Sequence, residues 1–225
     1  MGLSVLFAAG VFSALPAMAE PTAAEPEQQE GGAETPELLV ARLATAIGTQ
    51  DATSALACYG RANEEQQLAA EYLAAAMQVG SAKVALREAL VAKFGEADAA
   101  RVTSALALRK SAQPFQKMGQ ILRTSLIAIR GDMATAGKLE QPLLHMFRAA
   151  DGRWYVDGSP TFRAQQATPK EMRALAWTNN GLAVAIRACL PVVQPSKNID
   201  DFNQKALAVF EEQMKPVRSR LAEEH

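Results

Sequence analysis

The stretch "ILRTSLIAIRGDMATAGKLEQPLLHMFRAADGRWYVDG", residues 121–158, decides the fold class. Short apolar runs rich in strand-forming residues are separated by two tight-turn signals, Gly131-Asp132 and Asp151-Gly152. That spacing predicts a curved antiparallel β-meander over about 121–158. Its last turn opens the most chemical-looking decapeptide of the chain, DGRWYVDGSP (151–160). If Asp151-Gly152 is a two-residue turn, Ala149 pairs with Trp154, Arg148 with Tyr155 and Phe147 with Val156. Leu143, His145, Phe147, Trp154 and Val156 then share the more apolar face, which should point inward. Leu144, Met146, Arg148, Arg153, Tyr155 and Asp157 share the other. Turn geometry, burial and a half-exposed face account for every residue, so the hairpin needs these side chains in order to fold.

Helical periods flank the meander. Thr35-Pro36-Glu37 caps and opens a helix carrying Leu39, Leu43 and Ile47, with Gly48 at its end. Asp51 caps a short second helix, Asn63 and Gln66 form a capping box for a third that stops at Gly80, and a fourth runs from Ser81 to Gly95. A fifth spans about 97–111, ahead of Pro114. After the meander, Thr168-Pro169-Lys170-Glu171 opens a helix that ends at Pro191. Asp200 or Asp201 caps the last one, which should kink at Pro216. Helices, meander, helices is an α+β order, not the alternation of a doubly wound sheet.

The ends and the composition bound the setting. Residues 1–19, "MGLSVLFAAGVFSALPAMA", hold no charged side chain and close on an Ala-x-Ala site, as a signal peptide does. Export to the periplasm or medium, with cleavage after Ala19, is expected, leaving no membrane span. Residues 20–36 are rich in Pro, Gly, Glu and Gln and read as a disordered acidic linker. Five of the 24 acids lie there, leaving 19 against 23 bases, too mild a balance for a nucleic-acid footprint. The domain proper should run 37–163, with a helical extension over 164–225.

The segments "IAIRGDMATA" and "PLLHMFRAADGRWYVDG", with the opening "ARLATAIGTQDATSALACYG", resemble the nuclear transport factor 2-like superfamily. The shared features are a helix pair, then a Gly-Asp turn, an alternating strand, and a strand ending in Asp-Gly-x-Trp with a short continuation. The resemblance implies a curved sheet wrapped around helices, with a conical cavity. It implies no single activity, because the superfamily holds isomerases, dehydratases, cyclases and binding modules. The chain departs from it at residues 62–118, which read as helical throughout, and in the added tail.

Candidate chemistry is sparse. The chain has two histidines, and it lacks CxxC, HExxH, GxSxG, Walker and GxGxxG patterns, so no metal or cofactor is expected. His145 is the candidate catalytic base, Phe147, Trp154 and Val156 the candidate walls of a ligand site. Arg123, Arg130, Arg148 and Arg153, with Arg163 nearby, are a candidate anion patch, or else ordinary edge protection. Cys58 and Cys189 are either a disulfide or two buried thiols. Three functions remain open. The preferred one is an exported non-enzymatic module binding a small apolar ligand or an envelope protein. The others are a cone-fold isomerase or dehydratase using His145, and a helical interaction protein with a filled core. Oligomerisation is left open. Whether the cone is hollow separates the three.

Overall fold

The computed structural model describes residues 31–102, 106, 113–138, 140–164 and 167–223. The signal-peptide reading of 1–19 and the linker reading of 20–30 lie outside the described residues, as does most of the helix expected over 97–111. The chain is α+β. Helices α1 (Pro36–Thr49), α2 (Ala52–Ala57), α3 (Glu64–Phe94), α4 (Glu96–Ala99) and α5 (Gln113–Arg123) precede strands β1 (Ile127–Arg130), β2 (Met133–Lys138), β3 (Gln141–Arg148) and β4 (Trp154–Asp157). Helices α6 (Ser159–Ala164), α7 (Pro169–Ala188), α8 (Leu190–Val193) and α9 (Ile199–Glu223) follow. The strands form one antiparallel sheet in the order β1-β2-β3-β4.

Local capping chemistry starts the helices where the sequence places it. Leu38 N–H donates to Thr35 Oγ1 at 3.3 Å, Ser54 N–H to Asp51 Oδ1 at 3.0 Å and Gln66 N–H to Asn63 Oδ1 at 2.9 Å. Thr168 and Glu171 close a full capping box. At α9 the cap is Asn198, not Asp200 or Asp201: Asn198 Oδ1 takes the Asp201 N–H at 2.9 Å. The Asp201 carboxylate instead takes Lys197 N–H and the Lys205 ammonium. Pro216 sits inside α9, which continues to Glu223.

Helix ends are where the structure departs from expectation. Gly80 does not stop a helix; α3 runs through it for 31 residues. A Cβ at Gly80 would lie 2.3 Å from Phe115 Cζ, so the glycine is there for close approach of α5, not for termination. Gly119 is likewise inside α5, where a Cβ would meet Ala44 O at 2.5 Å across the α1–α5 contact. The meander is shorter than the sequence implied, since 121–123 complete α5. Pro114 and Pro191 each fall in the first turn of a helix, where a missing N–H costs nothing.

Two large apolar cores result, with a small third cluster of Leu68 and Met172 where α7 starts along α3. The first joins the inner sheet face (Ala134, Ala136, Met146, Trp154, Val156) to Leu39, Val40, Leu43 and Ala44 of α1, Ala55, Cys58, Met77 and Leu122. The second joins Val79, Ala82, Leu86 and Leu90 of α3 to Ile186, Val193, Phe202 and Phe210. Helices α7, α8 and α9 therefore complete a bundle with α3.

Residues 31–33 of the expected linker are buried and form part of the sheet. Ala33 exchanges backbone hydrogen bonds with Trp154 at 3.0 and 2.7 Å, and Val156 does the same with Cys58 O (2.9 Å) and Gly60 N–H (3.0 Å). The outer edge of β4 is closed by these two segments.

The core assignment sets a first expected outcome. Trp154 is 6% exposed among well-packed neighbours, so Trp154→Ala should cost about 3–5 kcal/mol in urea unfolding. The two glycines of the α1–α5 contact should respond with opposite signs. Gly48→Ala meets open space and should gain about 0.5–1 kcal/mol from helix propensity, whereas Gly119→Ala should destabilise because backbone lies in the way. Chemical denaturation of both variants checks the pair.

Candidate functional site

The 151–160 hairpin turns on three residues, not two. Ala149 N–H donates to Arg153 O at 2.8 Å and Gly152 N–H to Ala149 O at 2.9 Å, leaving Ala150, Asp151 and Gly152 as the loop. Gly152 has φ +79°, the left-handed position such a loop needs. Asp151 Oδ1 fixes the turn by accepting the Arg153 N–H at 2.8 Å. The extra residue shifts the register by one: Arg148 faces Trp154, Phe147 faces Tyr155, Met146 faces Val156 and His145 faces Asp157. Trp154 and Val156 do point inward, but β3 is flipped relative to the expectation. A one-residue slip moves a whole strand face.

The flip redistributes the predicted site residues. Met146 is buried in the core in place of Phe147, so Phe147 does not share a face with Trp154 and Val156. His145, Phe147, Tyr155 and Asp157 lie together on the outer face, half-buried. Beneath the edge of that face is a groove of about 270 Å³ walled by Tyr59, Gly60, Arg61, Phe147, Asp151 and Tyr155. Phe147 and Tyr155 stack tilted, with centroids 6.1 Å apart. Tyr155 donates its hydroxyl to Asp151 Oδ2 at 2.8 Å. Partial burial, then this hydrogen bond to a carboxylate, raise the Tyr155 pKa. The Arg153 N–H and the Tyr155 hydroxyl hold Asp151 below the usual carboxylate range. His145 does not line this groove.

The carboxylate nearest His145 is committed elsewhere. Asp157 Oδ1 accepts from Gln66 Nε2 at 3.2 Å and Ser159 N–H at 3.0 Å, tying β4 to the buried Gln66 and to the start of α6. These contacts make Asp157 a structural tie between strand and helix.

The arginines are dispersed, and most hold internal acceptors. Arg153 Nη1 donates to Gly31 O at 3.0 Å, Arg148 Nε to Gly152 O at 3.0 Å and Arg123 Nη2 to Thr45 Oγ1 at 3.0 Å. Arg163 pairs with Glu65 at 3.8 Å, and Arg130 is exposed at the end of β1. They do not converge on one anion position.

A larger open groove of about 490 Å³ lies between α1, α2 and the Gly31-Gly32 segment, which sequence reasoning missed because it assigned 20–36 to a linker. Arg42 donates to Gly32 O at 2.5 Å across it. A third, of about 470 Å³, lies between the end of α5 and the β2–β3 hairpin, lined by Ile121, Leu126 and Leu143 with Thr124, Lys138 and Gln141. Among the described residues no group of three or more His, Cys, Asp or Glu is placed to hold a metal ion, and no helix is long and apolar enough to cross a membrane. Compared with protein-family models, curated proteins and solved structures, the chain matches none.

Cys58 and Cys189 are not bonded. Both are buried free thiols, one in each core. Cys58 Sγ donates to Ser54 O at 3.4 Å and Cys189 Sγ to Ala185 O at 3.3 Å, the i−4 carbonyl in each case. Burial pushes both thiols up to about 11, with Arg42 pulling weakly the other way on Cys58. Such thiols are inert. An unfolded cysteine titrates near about 8.5, so the folded state holds these protons more tightly. Their contribution to stability is complete below about pH 8.5 and is lost as pH rises through about 11. The expected outcome is two thiols that react with a disulfide reagent only after unfolding, and a denaturant midpoint that falls between those pH values. In a Cys58→Ala, Cys189→Ala variant that fall should shrink.

Proposed function

We propose that this chain is an exported, non-enzymatic protein-docking module with the cone-like architecture of the nuclear transport factor 2-like superfamily. The observation that carries the reading is where the apolar side chains lie. On the inner sheet face Met146, Val156 and Trp154 are 0%, 2% and 6% exposed, packed by α1. Elsewhere on the sheet and just before it, Leu126, Ile129 of β1, Met133 of β2 and Leu143 of β3 are about half exposed or more. A packed core leaves little room for a ligand inside the cone, whereas uncovered apolar side chains on the first three strands are what a protein partner would cover. The meander order and the helix pair against the inner face support the superfamily resemblance, and the apolar run before Ala19 supports export. A second reading, capture of a small apolar or aromatic ligand, rests on the Phe147–Tyr155 groove, whose volume is near the lower limit for ligand pockets.

The two readings separate by cross-linking. A photoreactive residue at Met133 or Leu143, in the full chain expressed in its native host, should give one discrete protein adduct, and the same residue at exposed Lys197 should not. If no adduct forms and native mass spectrometry finds a small molecule retained by the purified protein, the ligand reading replaces docking.

A further inference from the structure

We infer that the β1 edge receives an extended, acidic segment of a partner protein by strand addition; this deepens the docking reading and rests on it. Among the described residues the sheet has one closed edge and one open edge. Residues 31–33 and 58–60 pair with the outer side of β4, whereas β1 pairs only with β2 among the described residues. Leu126 O accepts the Gly137 N–H at 2.9 Å, and Arg130 faces Met133 across the two-residue turn. Ladder alternation then directs residues 126, 128 and 130 toward β2 and aims the N–H and C=O of Ile127 and Ile129 at the open edge.

The side chains define what the added strand must carry. Ile127 and Ile129 face buried Ala136 and Ala134, so they belong to the inner face. Ile129 is nevertheless 51% exposed, and Leu126, which by the same alternation lies on the outer face with Ala128 and Arg130, is 76% exposed. An added strand would place alternate side chains beside Ile127 and Ile129, and apolar ones would complete the core's rim. Its intervening side chains would stand beside Ala128 and Arg130 on the outer face. The surrounding charge is net positive. Residues 113–141 hold four bases, Lys117, Arg123, Arg130 and Lys138, against two acids, Asp132 and Glu140. A second copy pairing through this edge would bring two such basic sets together, which argues against self-association. A segment alternating acidic and aliphatic residues satisfies both faces and the backbone. Edge strands left this exposed are normally guarded by charges or proline, and here Arg130 is the only charge within β1.

The probe is a fluorescein-labelled synthetic peptide alternating Glu and Val, titrated into the full chain and followed by anisotropy. Binding is expected, weakening on the order of tenfold or more at high salt as the charge pairing is screened. Two control peptides should each bind about tenfold more weakly or worse: one with Lys for Glu, and one with alternate backbone amides N-methylated so that it cannot pair as a strand. Arg130→Glu, on an exposed position, should keep the far-ultraviolet spectrum and reverse the preference toward the Lys peptide. Equal binding of either control, no binding of the Glu peptide up to about 1 mM, or a stable dimer by sedimentation that buries β1 would overturn the inference. A partner adduct at Met133 or Leu143 alongside any of those results would leave the docking reading standing and remove only this one.

Discussion

Everything in the molecule hangs on α3 being covered along its whole length. Its buried positions, among them Leu68, Ala70, Ala74, Met77, Val79, Ala82, Leu86 and Leu90, are not confined to one stripe. A helix apolar around most of its circumference must be enclosed, and one element cannot enclose it. α7 runs along both halves, from Met172 beside Leu68 to Ile186 in the core with Leu86 and Leu90; the sheet and α2 add to the first half, α8 and α4 to the second. Alanine makes this feasible, because short side chains let several helices approach one axis. Where even alanine is too large, at Gly80 against Phe115, the side chain disappears altogether. The C-terminal helices follow from this constraint: without them Leu86 and Leu90, both 0% exposed, would face water.

The second constraint acts on β4. It is a four-residue strand with a partner on both sides, β3 on one and residues 31–33 and 58–60 on the other. Gly31 and Gly32 fit this place because neither has a Cβ: one at Gly32 would lie 2.7 Å from Trp154 O. Their carbonyls are held by Arg153 and Arg42. Arg153, which looks like part of an anion patch in the sequence, is thus a fastening of Gly31 beside β4.

What was legible in the sequence was local. The hydroxyl, Asp and Asn caps, the Gly-Asp turn and the helix–meander–helix order each depend on residues a few positions apart. What was not legible required knowledge of a distant neighbour. Gly80 as a stop and Gly80 as a contact read identically until Phe115 is in place. Asp-Gly serves both a two-residue turn and the last two positions of a three-residue turn, and only packing decides between them. Met146 and Phe147 are both apolar enough to face a core. Met146 goes in, where Trp154 and Val156 leave a narrow space beside α1, and Phe147 goes out to stack on Tyr155 against Gly60. From that one choice follow the face of His145, the separation of Phe147 from Trp154, and the groove beside Tyr155. The two cysteines illustrate the same limit: each hydrogen-bonds within its own helix turn, and nothing local shows that they belong to different cores.

The packed inner face of the sheet leaves Met146, Val156 and Trp154 no freedom to meet a ligand: all three are in the core. Here the inward positions of β2 are Ala134 and Ala136, side chains too short to reach a ligand but short enough for α1 to settle directly on the sheet. That close seating removes the cavity. Ile127 of β1 still packs against this core, whereas Ile129, one step nearer the Gly131-Asp132 turn, is half exposed. With the outer edge of β4 fastened by residues 31–33 and 58–60, β1 is the one edge of the sheet that stays unpaired among the described residues, and it is the edge that keeps Ile129 half exposed.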